Sequence, residues 1–127
     1  MNEVCVENEL CRIRAAQRSD LCSLKALNGS LYEYDWPDDF YTWQHFENIH
    51  PNITLLAEYN DNIIACVNLQ IRMLNSCHKA GQITHINVHP QYQGKGFFRL
   101  LINKVLAKSD EKPDMICIFA NRQARPV

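Results

Sequence analysis

The sequence predicts an α/β (α+β) fold: a mixed sheet of about five strands in the order β-α-α-β-β-β-α-β, formed by one domain over residues 1–127. Three observations carry this expectation. Ile83, Thr84, Ile86 and Val88 favour a strand that stops before Pro90; Gly94 and Gly96 then turn the chain, and Phe98, Leu101, Ile102, Val105 and Leu106 recur at helical spacing. Two more β-branched runs, residues 53–59 and 63–73, flank Asn60-Asp61-Asn62, which is a hairpin signal. After the long helix, residues 115–120 form a continuous apolar run, as in a strand covered on both faces. A strand, a crossover helix and a second strand make one parallel unit.

The remaining elements follow in order. Residues 1–9 are polar and acidic and are expected to fray. Leu10 to Arg14 alternates apolar with charged residues, which predicts a first strand with one wet face. Ser19 or Asp20 can cap a helix through Asn28 that turns Leu21, Leu24, Ala26 and Leu27 inward and ends at Gly29. Pro37 suits the first turn of a second helix, in which Phe40, Trp43, Phe46 and Ile49 make a stripe before Pro51 closes it. Residues 32–46 hold seven aromatics and four acids. They read either as core aromatics beside a solvated acidic face, or as a pocket for a cationic amine, because carboxylates and ring faces both attract ammonium groups. Asn75 to Lys79 is a polar loop.

Composition excludes several classes. A net charge of −1 gives no general attraction to nucleic acid or to anionic membrane, and no basic face is visible. Glu3, Glu7 and Glu9 stand where a signal peptide needs basic and then apolar residues, and no run is long enough to span a bilayer, so a cytoplasmic location is expected. The six cysteines lack Cys-x-x-Cys or matching His spacing and mostly sit in apolar patterns. Buried free thiols are expected, with neither disulfides nor a metal site.

The glycine turn carries the functional signal. A helix with a glycine-rich first turn exposes unpaired N–H groups at a positive dipole end, which suits a phosphate or pyrophosphate. Gln93-Gly94-Lys95-Gly96, with Val88-His89-Pro90 before it and Leu100-Leu101 after it, resembles the acetyl-CoA signature of the GNAT superfamily of N-acetyltransferases, Gln/Arg-x-x-Gly-x-Gly/Ala. Phe98 departs from the last position, where it either crowds a pyrophosphate or turns into the core. The resemblance spans residues 10 to 121. It implies acetyl-CoA as co-substrate, with backbone groups of Ile86 and Val88 along the pantetheine arm and the amides of Gln93, Gly94, Lys95, Gly96, Phe97 and Phe98 around the diphosphate. It also implies that the connection between the first two helices lines the acceptor site.

Amide formation from a thioester requires a deprotonated amine, a stabilised oxyanion and help for the leaving thiolate. Many members of this family place a carboxylate base on the strand before the turn, where this chain has Gln82, Thr84 and His85. His85 is the candidate base, since an imidazole titrating at about 6.5 is competent near neutral pH; a core or edge histidine is the other reading. His89 belongs to the turn. Many relatives take the general acid from a tyrosine on a helix after the last strand listed here. Asn121 to Ala124 resembles the start of that helix, but no tyrosine follows Tyr92. The resemblance therefore predicts a C-terminally short domain lacking one helix and two strands, with an apolar edge at residues 115–120 suited to pairing in a homodimer. The sequence thus predicts transfer of an acetyl group to the primary amine of a small acceptor. The alternative is a CoA-binding or protein-interaction module of the same fold with impaired catalysis.

Overall fold

The computed structural model describes residues 3–6, 9–31, 37–47, 52–73, 75–109 and 112–118. Tyr32, Tyr34, Trp36, Ile49, Pro51, Phe119, Ala120 and residues 121–124 lie outside the described residues.

A sheet of six strands runs in sequence order: β1 (Glu3–Val6), β2 (Glu9–Ala15), β3 (Asn52–Tyr59), β4 (Asn62–Met73), β5 (Lys79–Val88) and β6 (Met115–Ile118). Neighbours are antiparallel except β5 and β6, which are parallel across the crossover helix α3 (Phe97–Lys108). Helices α1 (Leu21–Gly29) and α2 (Asp38–Thr42) lie between β2 and β3 in the chain. The expected order of elements is therefore present, with one addition. Part of the segment expected to fray, Glu3–Val6, pairs with Glu9–Arg12 as an edge strand, because backbone pairing is satisfied there whatever the polarity of the side chains.

Turn chemistry sets the registers. Asn60 and Asp61 both take positive φ (51° and 64°), the left-handed pair that a two-residue hairpin needs, and the β3–β4 ladder closes at Tyr59 and Asn62. Between β2 and α1, Asp20 folds back instead of capping forward. Its carboxylate accepts from the Gln17 N–H (2.7 Å) and from both terminal nitrogens of Arg14 (2.8 Å each). The Arg14 hydrogen bonds hold that carboxyl below its usual range.

The sheet separates two layers. Against one face α3 packs Phe97, Leu101 and Val105, one per turn, onto Ile13, Leu55, Ala57, Val67, Leu69 and Ile83. On the other face Leu24 and Leu27 of α1 meet Leu56 and Cys66.

Three expectations are corrected. Ala26 faces solvent while Leu24 and Leu27 carry the α1 contact. The Phe40-Trp43-Phe46 stripe forms only in part: Phe46 packs against the Leu24–Leu27 cluster and Phe40 is half-buried, whereas Trp43 opens a π turn over residues 43–47 and faces solvent. Tyr41 and His45 are buried instead, and Trp43 is 47% exposed. Met115 to Ile118 are all exposed rather than covered on both faces, since β6 lies at the sheet edge with β5 as its one strand partner among the described residues. Gly81 lets β6 approach: a Cβ there would lie 2.8 Å from Ile116 Cδ1 and 3.0 Å from Pro113 Cγ. Of the free cysteines, Cys11 and Cys66 are buried, whereas Cys22, Cys77 and Cys117 are exposed.

Candidate functional site

Strand β5 changes character halfway along. Ala80 to Ile83 pair with β4 on one side and β6 on the other. Among the described residues β6 pairs no further than Ile83, and β5 continues to Val88 against β4. The direction of its free groups follows from one bond. The His89 N–H donates to the Ile64 carbonyl on β4 (2.8 Å), and strand residues alternate in direction, so Asn87 also faces β4 while Ile86 and Val88 face the open side. The Gln93 side chain occupies part of that side by donating to the Val88 carbonyl (3.0 Å).

The chain then passes through a 3-10 turn, Pro90–Tyr92, and reaches Gly94 (φ 80°) and Gly96 (φ 91°), left-handed positions that favour glycine. A Cβ at either glycine would meet no atom within 4 Å, so the missing side chains leave open space in front of the loop. The N–H groups of Phe97 and Phe98 belong to the first turn of α3 and have no intrahelical acceptor.

These elements enclose an open cleft of about 320 Å³ lined by Ile86, Val88, Gln93, Gly94, Gly96, Phe97 and Phe98, together with Leu31, Asn87 and Tyr92. Seven of the eight residues that the resemblance assigned to the cofactor thus meet in one cleft. Lys95 does not line it. The side chain of Phe97 turns into the core (3% exposed), whereas Phe98 remains partly exposed beside the cleft. Leu31, Asn87 and Tyr92 were missed in the sequence. Asn87, a polar residue inside an apolar strand pattern, was the one signal available.

A β-bulge shapes the other face. Asn68 pairs with His85 and Leu69 with Ile83, so Thr84 is the extra residue, and it shares the α2 face with His85. There the Thr84 hydroxyl donates to Asn68 Oδ1, and Asn68 Nδ2 donates to Thr54 Oγ1 (2.7 Å). Thr54 Oγ1 in turn lies 2.9 Å from His45 Nδ1. The His45 and His85 rings meet edge to face, with centroids 5.4 Å apart. Asn87 Nδ2 is 2.8 Å from His85 Nε2. Burial pushes the His85 imidazole down to about 4, and burial followed by the neighbouring His85 pushes His45 down to about 3. Both rings are therefore neutral at physiological pH.

The aromatic and acidic stretch is only partly assembled here. Asp38 and Asp39 are exposed, and Asp38 is paired with Lys25. Among the described residues no cluster of three His, Cys, Asp or Glu side chains could hold a metal ion, and no helix is long and apolar enough to cross a membrane.

A strand that runs into a left-handed glycine turn and a helix N-terminus, with an open cleft beside them, defines the class: an α/β protein with a cleft at the switch from strand to helix. The model of the acetyltransferase (GNAT) family matches residues 21–127, and the chain belongs to that family. The family uses acetyl-CoA. Among solved structures, the chain is similar to a ribosomal-protein-alanine N-acetyltransferase from Brucella melitensis biovar Abortus 2308 (25% identity, 88% of this chain and 81% of that one, TM-score 0.69). Glucosamine-6-phosphate N-acetyltransferase from Arabidopsis thaliana aligns at 18% identity over 91% of this chain and 85% of that one, with TM-score 0.71. An acetyltransferase from Clostridium acetobutylicum with acetyl-CoA aligns equally well (18% identity, 91% and 84%, TM-score 0.71). No curated protein matches the chain in sequence.

Proposed function

We propose that the chain is an acetyl-CoA-dependent N-acetyltransferase whose co-substrate lies in the β5–α3 cleft, with a small amine as acceptor. The observation that carries this reading is the open glycine turn at the mouth of α3, which the Ile86–Val88 end of β5 enters directly. The backbone of Ile86 and Val88 suits an extended amide-bearing arm laid beside β5 as an added strand. The amides of Gly94, Gly96, Phe97 and Phe98 suit a diphosphate at the helix mouth, where two missing Cβ atoms allow close approach. Bound acetyl-CoA would supply the activated acyl group; the protein orients it and excludes water.

The second reading, a CoA-binding or interaction module with impaired catalysis, is favoured by one observation. The Nε2 lone pair of His85, which a base would need, faces the Asn87 amide at 2.8 Å, and burial holds the imidazole down at about 4.

Calorimetric titration with acetyl-CoA, followed by thiol-release assays over polyamines, aminosugars and peptide N-termini, separates these readings. Binding with turnover on one acceptor class supports the first, binding without turnover on any acceptor selects the second, and no binding removes both. Gly96→Val should weaken acetyl-CoA binding at least tenfold while the circular dichroism spectrum keeps its shape, because the new side chain fills the space before the amides. Unchanged affinity would place the phosphate site elsewhere.

A further inference from the structure

The helix-side face of β5 carries a polar chain for which the proposed cofactor cleft has no use. It runs from Thr84 through Asn68 and Thr54 to His45, turns onto the His85 ring and ends at Asn87, which is 4% exposed and also lines the cleft. His85 does not itself line the cleft, but Asn87 does, and we propose that Asn87 is a positioning residue that makes the adjoining His85 a neutral hydrogen-bond donor, through its Nδ1–H, toward the acceptor. The inference rests on reading that cleft as the acyl-transfer site.

The directions of the hydrogen bonds carry the argument. An amide nitrogen has only hydrogens to give, so at 2.8 Å from Asn87 Nδ2 the His85 Nε2 accepts with its lone pair, and a neutral imidazole then holds its proton on Nδ1. The same logic orders the rest of the chain. Asn68 receives the Thr84 hydroxyl proton and gives an amide proton to Thr54, which leaves the Thr54 proton for His45 Nδ1 and the His45 proton on Nε2. That Nε2 is buried with no partner among the described residues. Among the described residues the titratable groups near His85 are His45 on the π turn, whose ring it meets, and Cys66, which pairs across the ladder with the neighbouring Asn87 and whose thiol is pushed up to about 12. Neither is charged near neutrality, and burial opposes a charge on His85 itself. A ring in this state is suited to a carbonyl or hydroxyl oxygen of the acceptor molecule. A cationic ammonium, which can only donate, would meet another donor there. On this proposal the acceptor class is an amine bearing a nearby carbonyl or hydroxyl oxygen.

Nitrogen-15 NMR of the histidine side chains in the full chain reads the tautomer directly. The native protein should show His85 as the Nδ1–H form. In Asn87→Asp the carboxylate can only accept, so the tautomer should invert and the His85 titration midpoint should rise by about one to three pH units. Asn87→Ser, a smaller change, should erode the tautomer preference if the aspartate variant fails to fold. In kinetics, kcat/KM of the native protein should show no His85 limb between about pH 6 and 8, and N87D should acquire one. An Nε2–H tautomer in the native protein, or an unmoved tautomer and midpoint in N87D, overturns the inference. The spectra need no acetyl-CoA. A chain that fails to bind it while showing the Nδ1–H tautomer refutes the reading of the cleft and with it the acceptor-side role, leaving only the ring chemistry of Asn87 and His85.

Discussion

The two faces of the sheet obey different rules. The α3 face is dry: Phe97, Leu101 and Val105 meet aliphatic residues of β2 to β5, and each such burial is worth about 1.5–3 kcal/mol. The α1–α2 face combines a small aliphatic cluster with the chain of histidine, threonine and asparagine side chains that ends at the cleft. Stability that depends on packing therefore concentrates on one face, and stability that depends on pH on the other.

Five perturbations test that division. Leu101→Ala, at a fully buried position, should cost about 3–5 kcal/mol in urea unfolding at any pH; a cost below about 1 kcal/mol would mean that α3 is not the main source of packing. Acid should act through the other face. Folded-state values of about 4 and about 3 lie below the free imidazole value of 6.5, so below pH 6.5 the unfolded chain binds protons that the folded chain refuses. Stability should therefore be complete above that pH and fall by roughly 2 kcal/mol per ring between pH 6.5 and 5, in a chemical-denaturation series across pH. His45→Phe should abolish about half of that dependence, and an unaltered slope would contradict the burial of the ring. Thr84→Val keeps the shape but strands the buried Asn68 Oδ1, for a loss of about 1–2 kcal/mol by thermal melting. Trp43→Ala should change stability by less than about 0.5 kcal/mol, since the π turn leaves that ring 47% exposed.

The contrast also shows where sequence reasoning succeeded and where it failed. The α3 face was legible because apolar side chains at three- and four-residue spacing leave a helix one way to bury them, and Leu101 and Val105 did so. The polar face was not. Thr54, Asn68 and Thr84 are far apart in the chain, and each alone resembles an ordinary strand residue; only the β3–β4–β5 register and the bulge at Thr84 bring them together. The aromatic stripe was read one step out of phase: Tyr41 and His45, four residues apart, are buried, and Trp43 at the start of the π turn is exposed.

By itself the sequence determined the order of elements, the Asn60-Asp61 hairpin and the strand–glycine–helix turn. These depend on local backbone preference: positive φ at Asn60, Asp61, Gly94 and Gly96, and the proline that stops β5. Tertiary structure alone decided that β6 pairs with Ala80–Ile83 of β5, that Ile86 and Val88 turn their backbone groups away from β4, and that His85 meets Asn87 and His45. Those facts are set by ladder register and by contacts between residues distant in the chain, to which no local preference responds.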